Sequence, residues 1–185
     1  MNDQLDKDIE RIIRDTITAA GMEIDVIQKE TGVNMMYDFI DDYVLVDCER
    51  LRAARKEMNQ TVPLADYIQA LTLHELGHAL DREALLESLP GTREIMKLKH
   101  NFSRQEIYEN APLLKRIIDE NTRDYQFEET AWNNAERLNG MLNLVSPDCL
   151  VQMKDHGLAT YQQLFLQDST VYEGLAAAEL AISSQ

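Results

Sequence analysis

The sequence predicts a mainly helical α+β fold in a single domain spanning residues 1–185. Three observations lead there. Apolar residues recur at helical spacing over most of the chain, one short segment between Glu23 and Asp47 switches to closely spaced apolar and aromatic runs, and an apolar content of 44% over 185 residues is enough for a real core. No internal repeat, low-complexity run or flexible linker divides the chain.

The first helix is predicted over residues 3–20, where Leu5, Ile9, Ile12, Ile13 and Ile17 share a face, Asp3 would cap the start and Gly21 stands just past the end. Ile24-Asp25-Val26, Asn34 to Phe39 and Tyr43 to Val46 then read as strands of a small antiparallel sheet, with a tight turn at Asp41-Asp42. Helical composition returns from Cys48 to Met58 and breaks at Asn59 to Pro63. Thr61 is suited to cap the next helix, and Pro63 is tolerated in a first turn. That helix carries Leu64, Ile68, Leu71, Glu75 and His78 on one stripe, which directs them to the interior or a cleft.

Pro90-Gly91 is expected to end the element that follows. From Thr92 to Tyr125 the pattern is helical but broken, by the capping box Ser103-Arg104-Gln105-Glu106 and again by Pro112. Helices resume over about 126–142 and, capped by Ser146, over about 147–166. The Ala-rich tail is helical in composition.

Composition narrows the function. A formal net charge of -15 argues against binding nucleic acid, which needs clustered Lys and Arg, and suits a basic peptide or partner if it is more than a solubility device. No apolar stretch reaches the roughly 20 residues of a membrane span, and the acidic opening Met1-Asn2-Asp3 does not read as a signal peptide. Cys48 and Cys149 are far apart and form no CxxC, so a cytoplasmic location is expected.

The most informative feature is His74-Glu75-Leu76-Gly77-His78. Histidines four apart stack on one helix face, and the intervening glutamate is carried round to a bound water. Two imidazoles of a catalytic zinc site need one further protein ligand, with a water in the open position. Zinc acidifies that water, and Glu75 is placed to take its proton and return it to a leaving amine. Gly77 weighs against a chance arrangement. A mid-helix glycine costs roughly 1 kcal/mol relative to alanine, and close approach of another backbone would justify it.

The spacing HExxHxxGxxH is excluded because Asp81 and Ala84 stand where glycine and histidine are required. A downstream Gly-Thr-x-x-Asp fails because Ile95 follows Gly91-Thr92. The better source of a third ligand is the segment Phe127 to Ala135, where Glu128, Ala131, Trp132 and Ala135 share a face whose small residues permit tight helix packing. Glu128 is the favoured ligand, with Glu129 as the alternative about 100° round the helix.

These two motifs resemble the gluzincin metallopeptidases, which join HExxH to a downstream ExxA helix, and among them the small ImmA/IrrE-type endopeptidases of phages and mobile elements. The resemblance covers residues 71–82 and 127–136. It implies a zincin-like domain with the sheet packed on the motif helix, Zn2+ held by His74, His78 and Glu128, and Glu75 as catalytic base. It also implies a transition-state stabiliser, for which His156, Tyr125 and Tyr161 are available. Many relatives carry an acidic or amide residue four after the ligand glutamate to orient a ligating histidine, where this chain has Trp132. Asp81 and Asn133 are then the candidates for orienting a histidine.

The expected function is therefore a zinc-dependent endopeptidase whose peptide or protein substrate lies along an edge strand of the sheet. The rival from another class is a non-catalytic regulatory binding protein with a structural or vestigial zinc site and an acidic partner-binding surface. A hydrolase of non-peptide amides would share every ligand and differ only in the cleft. His100 reads as loop surface, and the two cysteines as buried small residues.

Overall fold

Helix α1 (Asn2–Ala19) buries Ile9, Ile13 and Ile17, one turn apart on a single face. It already includes Asp3, which therefore sits inside the helix and does not cap it. The end is as expected: Gly21 adopts φ +70°, its N–H bonds the Thr18 carbonyl, and Met22 N–H bonds the Ile17 carbonyl. This left-handed turn satisfies carbonyls that the helix leaves open. The computed structural model describes residues 2–58 and 62–183, so Thr61, the expected cap of the motif helix, lies outside the described residues.

Strands β1 (Asp25–Gln28), β2 (Met35–Asp38) and β3 (Tyr43–Val46) form one sheet in the order β1-β3-β2. β2 and β3 are an antiparallel hairpin, closed where Asp38 accepts from the N–H groups of Ile40 and Asp41 and Asp42 takes φ 61°. β1, however, runs parallel to β3, so the sheet is mixed and not antiparallel as expected. On the outer side of β2, Tyr37 N–H donates to Glu75 at 2.8 Å. β1 lies at the far edge of β3, and the loop after β1 is fixed by Asp47, which accepts from Thr31 N–H and Gly32 N–H at 2.9 and 3.0 Å.

Asp47 also caps α2 (Cys48–Glu57), accepting from Arg50 N–H. Helix α3 (Leu64–Leu80) starts directly after Pro63 and is buried on nearly every side from Tyr67 to Gly77. It packs against α1 and β2 and is the central element of its unit. An all-round apolar helix belongs in an interior, and of the motif residues it carries, His74 and Glu75 are buried and His78 is half-buried.

Four further helices complete the chain: α4 (Arg82–Asn101), α5 (Arg104–Tyr108), α6 (Ala111–Leu142) and α7 (Pro147–Ser183). Pro90-Gly91 does not end α4, contrary to expectation; Pro90 lies within it. Proline forfeits one backbone bond, here to the Leu86 carbonyl. The helix continues because Ile95 and Leu98 beyond it are buried in a core and because Gly91 makes room for the Arg123 guanidinium. His100 is accordingly on the exposed face of a helix and not in a loop. The capping box of Ser103 and Glu106 forms as expected, Pro112 falls in the first turn of α6, and Ser146 caps α7.

By contact density the chain divides into two compact units, Met1–Leu86 with Glu128–His156, and Glu87–Phe127 with Gly157–Gln185. The first has its core between α1, β3 and α3, where Ile9, Ile13, Val44, Val46, Ile68, Leu73 and Leu76 are almost fully buried. The second has a core of its own made by Ile95, Leu98, Ile107, Leu114, Ile117 and Ile118. No helix among the described residues is long and apolar enough to cross a membrane. Cys48 is buried, Cys149 is half-buried, and both are free thiols.

Candidate metal centre

The site lies within the first unit, where α3 meets the later part of α6. Contact begins at the glycine. A methyl group at Gly77 would stand 2.1 Å from the Ala131 carbonyl oxygen and 2.8 Å from its carbon, so the two backbones touch at a distance only glycine allows. Ala131 and Ala135 are fully buried, and Asn134 Nδ2 donates to the Gly77 carbonyl at 3.1 Å. The small-residue face read from the sequence thus brings α6 against the motif helix, and Asn134 adds a polar tie at the same point.

This approach sets Glu128, three residues before Ala131, opposite the histidines. Its Oε2 is 3.2 Å from His74 Nε2 and its Oε1 is 3.5 Å from His78 Nε2. One ligand atom from each of the three residues falls within 4.8 Å of the others, a group that can hold a metal ion. A tetrahedral ion bound at 2.0–2.2 Å separates its ligand atoms by about 3.3 Å, which the two measured separations bracket. Two imidazoles and one carboxylate are a donor set suited to a divalent transition metal. Glu129, the alternative ligand, is exposed and outside the group.

Electrostatics tie the three together. Burial disfavours a charged His78, but its hydrogen bond to Glu128 and the charges of Glu75, Glu128 and Asp81 outweigh it and raise its pKa. Burial disfavours a charged Glu128 as well, yet both imidazoles bond to it and hold the carboxyl far below the usual carboxylate range.

Glu75 is buried, and its Oε2 accepts from Tyr37 N–H at 2.8 Å. β2 is an edge strand, so this N–H belongs to the ladder edge that an extended peptide would use. Tyr37 is itself anchored, its hydroxyl donating to Asp42 at 2.5 Å.

Trp132 answers how His74 is oriented. The indole stacks on the imidazole with ring centroids 4.3 Å apart and planes 23° from parallel, while His74 and His78 meet edge to face at 4.7 Å. His74 Nδ1 is buried and has no hydrogen-bond partner among the described residues. Asn133 accepts from Lys154, and Asp81 ends α3, where it acts on His78 through its charge. A ring face therefore sets the plane of the imidazole where an acceptor was expected, and leaves Nδ1 unbonded among the described residues.

Of the three candidate stabilisers, His156 acts by charge on Glu57, Tyr125 accepts from Gln162 within the second unit, and Tyr161 belongs to that unit; the group of three includes none of them. The sequence reading missed Asn134 and the Tyr37 main chain. Asn134 had a signal, an amide directly before Ala135 of the small-residue face; a backbone donor has none. No family model, curated protein or solved structure matches the chain.

Proposed function

We propose that the chain is a zinc-dependent endopeptidase of the gluzincin type. The observation that supports it most is the convergence of His74, His78 and Glu128 on one point beside Glu75, with Gly77 shaped for the contact that brings them there. Zinc, when bound, supplies a Lewis acid for the scissile carbonyl and an acidified water. His74 and His78 would hold it through Nε2 and Glu128 through its carboxylate, which also offsets its charge.

Glu75 has one oxygen committed to Tyr37 N–H, which leaves Oε1 to take a proton from water and hand it to the leaving amine. A peptide added along β2 would compete for that same N–H. Substrate docking and the release of Glu75 Oε2 are therefore coupled, and the base is freed when the cleft fills. Burial of His74 and Glu75 keeps bulk water from the reacting groups.

The test is a peptide-library digestion by wild type and Glu75→Gln side by side, with metal content measured on both. About one zinc per chain is expected, with cleavage lost and metal kept in the variant. Identical digestion profiles would favour the regulatory binding protein, and metal-free protein from a zinc-replete preparation would overturn the reading.

A further inference from the structure

The second unit contains a buried acid that the metal centre does not use. Asp168, on α7, is 6% exposed. Its Oδ1 accepts from the Tyr108 hydroxyl and its Oδ2 from Asn121 Nδ2 at 3.0 Å. Both partners are neutral. A carboxylate offers about four acceptor positions, of which two are filled among the described residues. Burial and the bond to Asp168 raise the Tyr108 pKa, against a hydrogen bond from Arg104 that lowers it.

Asp168 and Asn121 line a cavity of 400 Å³, near the lower end of the roughly 300–1,000 Å³ of small-ligand pockets. Its walls are Ile107 and Ile117, both buried, with Phe102 and the Tyr108 ring. Two exposed cations, Lys99 and Arg104, complete the lining, and the Arg104 guanidinium lies 5.1 Å over the Tyr108 ring. The pocket thus combines a buried anion, apolar walls and exposed cations.

We propose that this cavity binds a small zwitterion, an α-amino acid with an apolar side chain, whose ammonium docks on Asp168 and whose carboxylate faces Lys99 and Arg104. Each half of the lining selects a different part of the ligand. The acceptor positions of Asp168 that Tyr108 and Asn121 leave open suit an ammonium, a donor with a charge that neither of them carries. The two exposed cations disfavour a simple amine, so the ligand must carry its own anion close to its cation. Isoleucine and aromatic walls select an apolar side chain over a polar one. The site shares no residue with the metal centre and stands whether or not the chain is a peptidase.

Calorimetric titration of the full chain tests this, with L-leucine and L-phenylalanine against N-acetyl-leucine, which lacks the ammonium, and leucinamide, which lacks the carboxylate. At least one free amino acid is expected to bind, the N-acetyl compound to give no heat, and leucinamide to bind roughly tenfold more weakly or worse. Asp168→Asn should abolish binding. Since a buried substitution can also unfold the unit, the exposed pair Lys99→Gln/Arg104→Gln serves as the second variant and should weaken leucine roughly tenfold. Absence of heat with both amino acids at millimolar concentration overturns the proposal. So does equal binding of N-acetyl-leucine, or leucine binding unchanged in the rim variant.

Discussion

Substituting Gly77 by alanine sets two effects of opposite sign against each other. In an open helix the change stabilises by up to about 1 kcal/mol, because glycine loses more backbone freedom on folding. Here the new methyl group would lie 2.1 Å from the Ala131 carbonyl oxygen, where ordinary contact begins at 3.4 Å, so α6 must retreat by about 1.3 Å. The obstruction is main chain, which no rotamer change relieves. Overpacking of this kind costs about 1–3 kcal/mol, with a rigid backbone at the upper end. The net expectation is a loss of roughly 2 kcal/mol, or some 4–8 °C in melting temperature for a chain of this size. Glu128 moves with Ala131, and its 3.2 and 3.5 Å separations from the histidines open far beyond the roughly 0.2 Å that a metal site tolerates. Trp132 is the only tryptophan and lies against His74, so quenching of its fluorescence by Co2+ reads the site directly. The variant should melt earlier and need roughly tenfold or more Co2+ for the same quenching. Unchanged quenching together with a higher melting temperature would refute the close approach and the site built on it.

Other expectations follow from single contacts. Glu128→Ala removes one of three candidate ligands and should weaken Co2+ binding beyond the roughly 10–100-fold that loss of an outer partner brings, whereas Glu129→Ala, exposed, should leave the titration unchanged. Asp47→Ala strips the cap of α2 and leaves Thr31 and Gly32 N–H unpaired, a loss of about 2–4 kcal/mol in denaturant unfolding. The hydrogen bond from Arg50 N–H, helped by those from Gly32 and Thr31 against the cost of burial, lowers the Asp47 pKa in the folded state. Its stabilisation is therefore present above the unfolded value near 3.9 and lost as pH falls below it, so Asp47→Asn should flatten the acid limb of the stability curve. Burial, with the charge of Asp6, pushes the Cys48 thiol up to about 11. Native Cys48 should resist iodoacetamide at pH 8 and react on unfolding. Its contribution to stability fades as pH rises from the unfolded thiol value toward 11, and mass spectrometry showing fast native alkylation would contradict this.

Features set by local chemistry were legible in the sequence: the Gly21 helix end, the Ser103 box, the Asp-rich turn and the motif helix all follow from residues within a few positions of one another. The Glu128 face was legible for a related reason, since small residues at helical spacing announce close packing before the partner is known. The sheet topology was not. β1 joins β3, and what the outer side of β2 meets is Glu75, 38 residues from Tyr37, a pairing that no local pattern announces. Pro90 misled because its penalty is local while its compensation, the burial of Ile95 and Leu98, is tertiary. Strand and helix ends of this kind yield to packing that no short window of sequence contains.

Trp132 shows what replacing an acceptor with a ring changes. A carboxylate or amide beside a ligand histidine fixes two things, the plane of the imidazole and the nitrogen that carries the proton. Stacking at 4.3 Å fixes the plane alone. A metal held through Nε2, the nitrogen that faces Glu128, would leave Nδ1 to carry the imidazole proton. That nitrogen is buried without a partner among the described residues, and a buried donor left unpaired costs about 1–3 kcal/mol. The arrangement would therefore hold His74 in place while binding a metal roughly one to two orders of magnitude more weakly than a carboxylate-supported imidazole. What the indole offers in return is an apolar cover over a buried imidazole, where a lower local dielectric strengthens the hydrogen bond between His74 and Glu128.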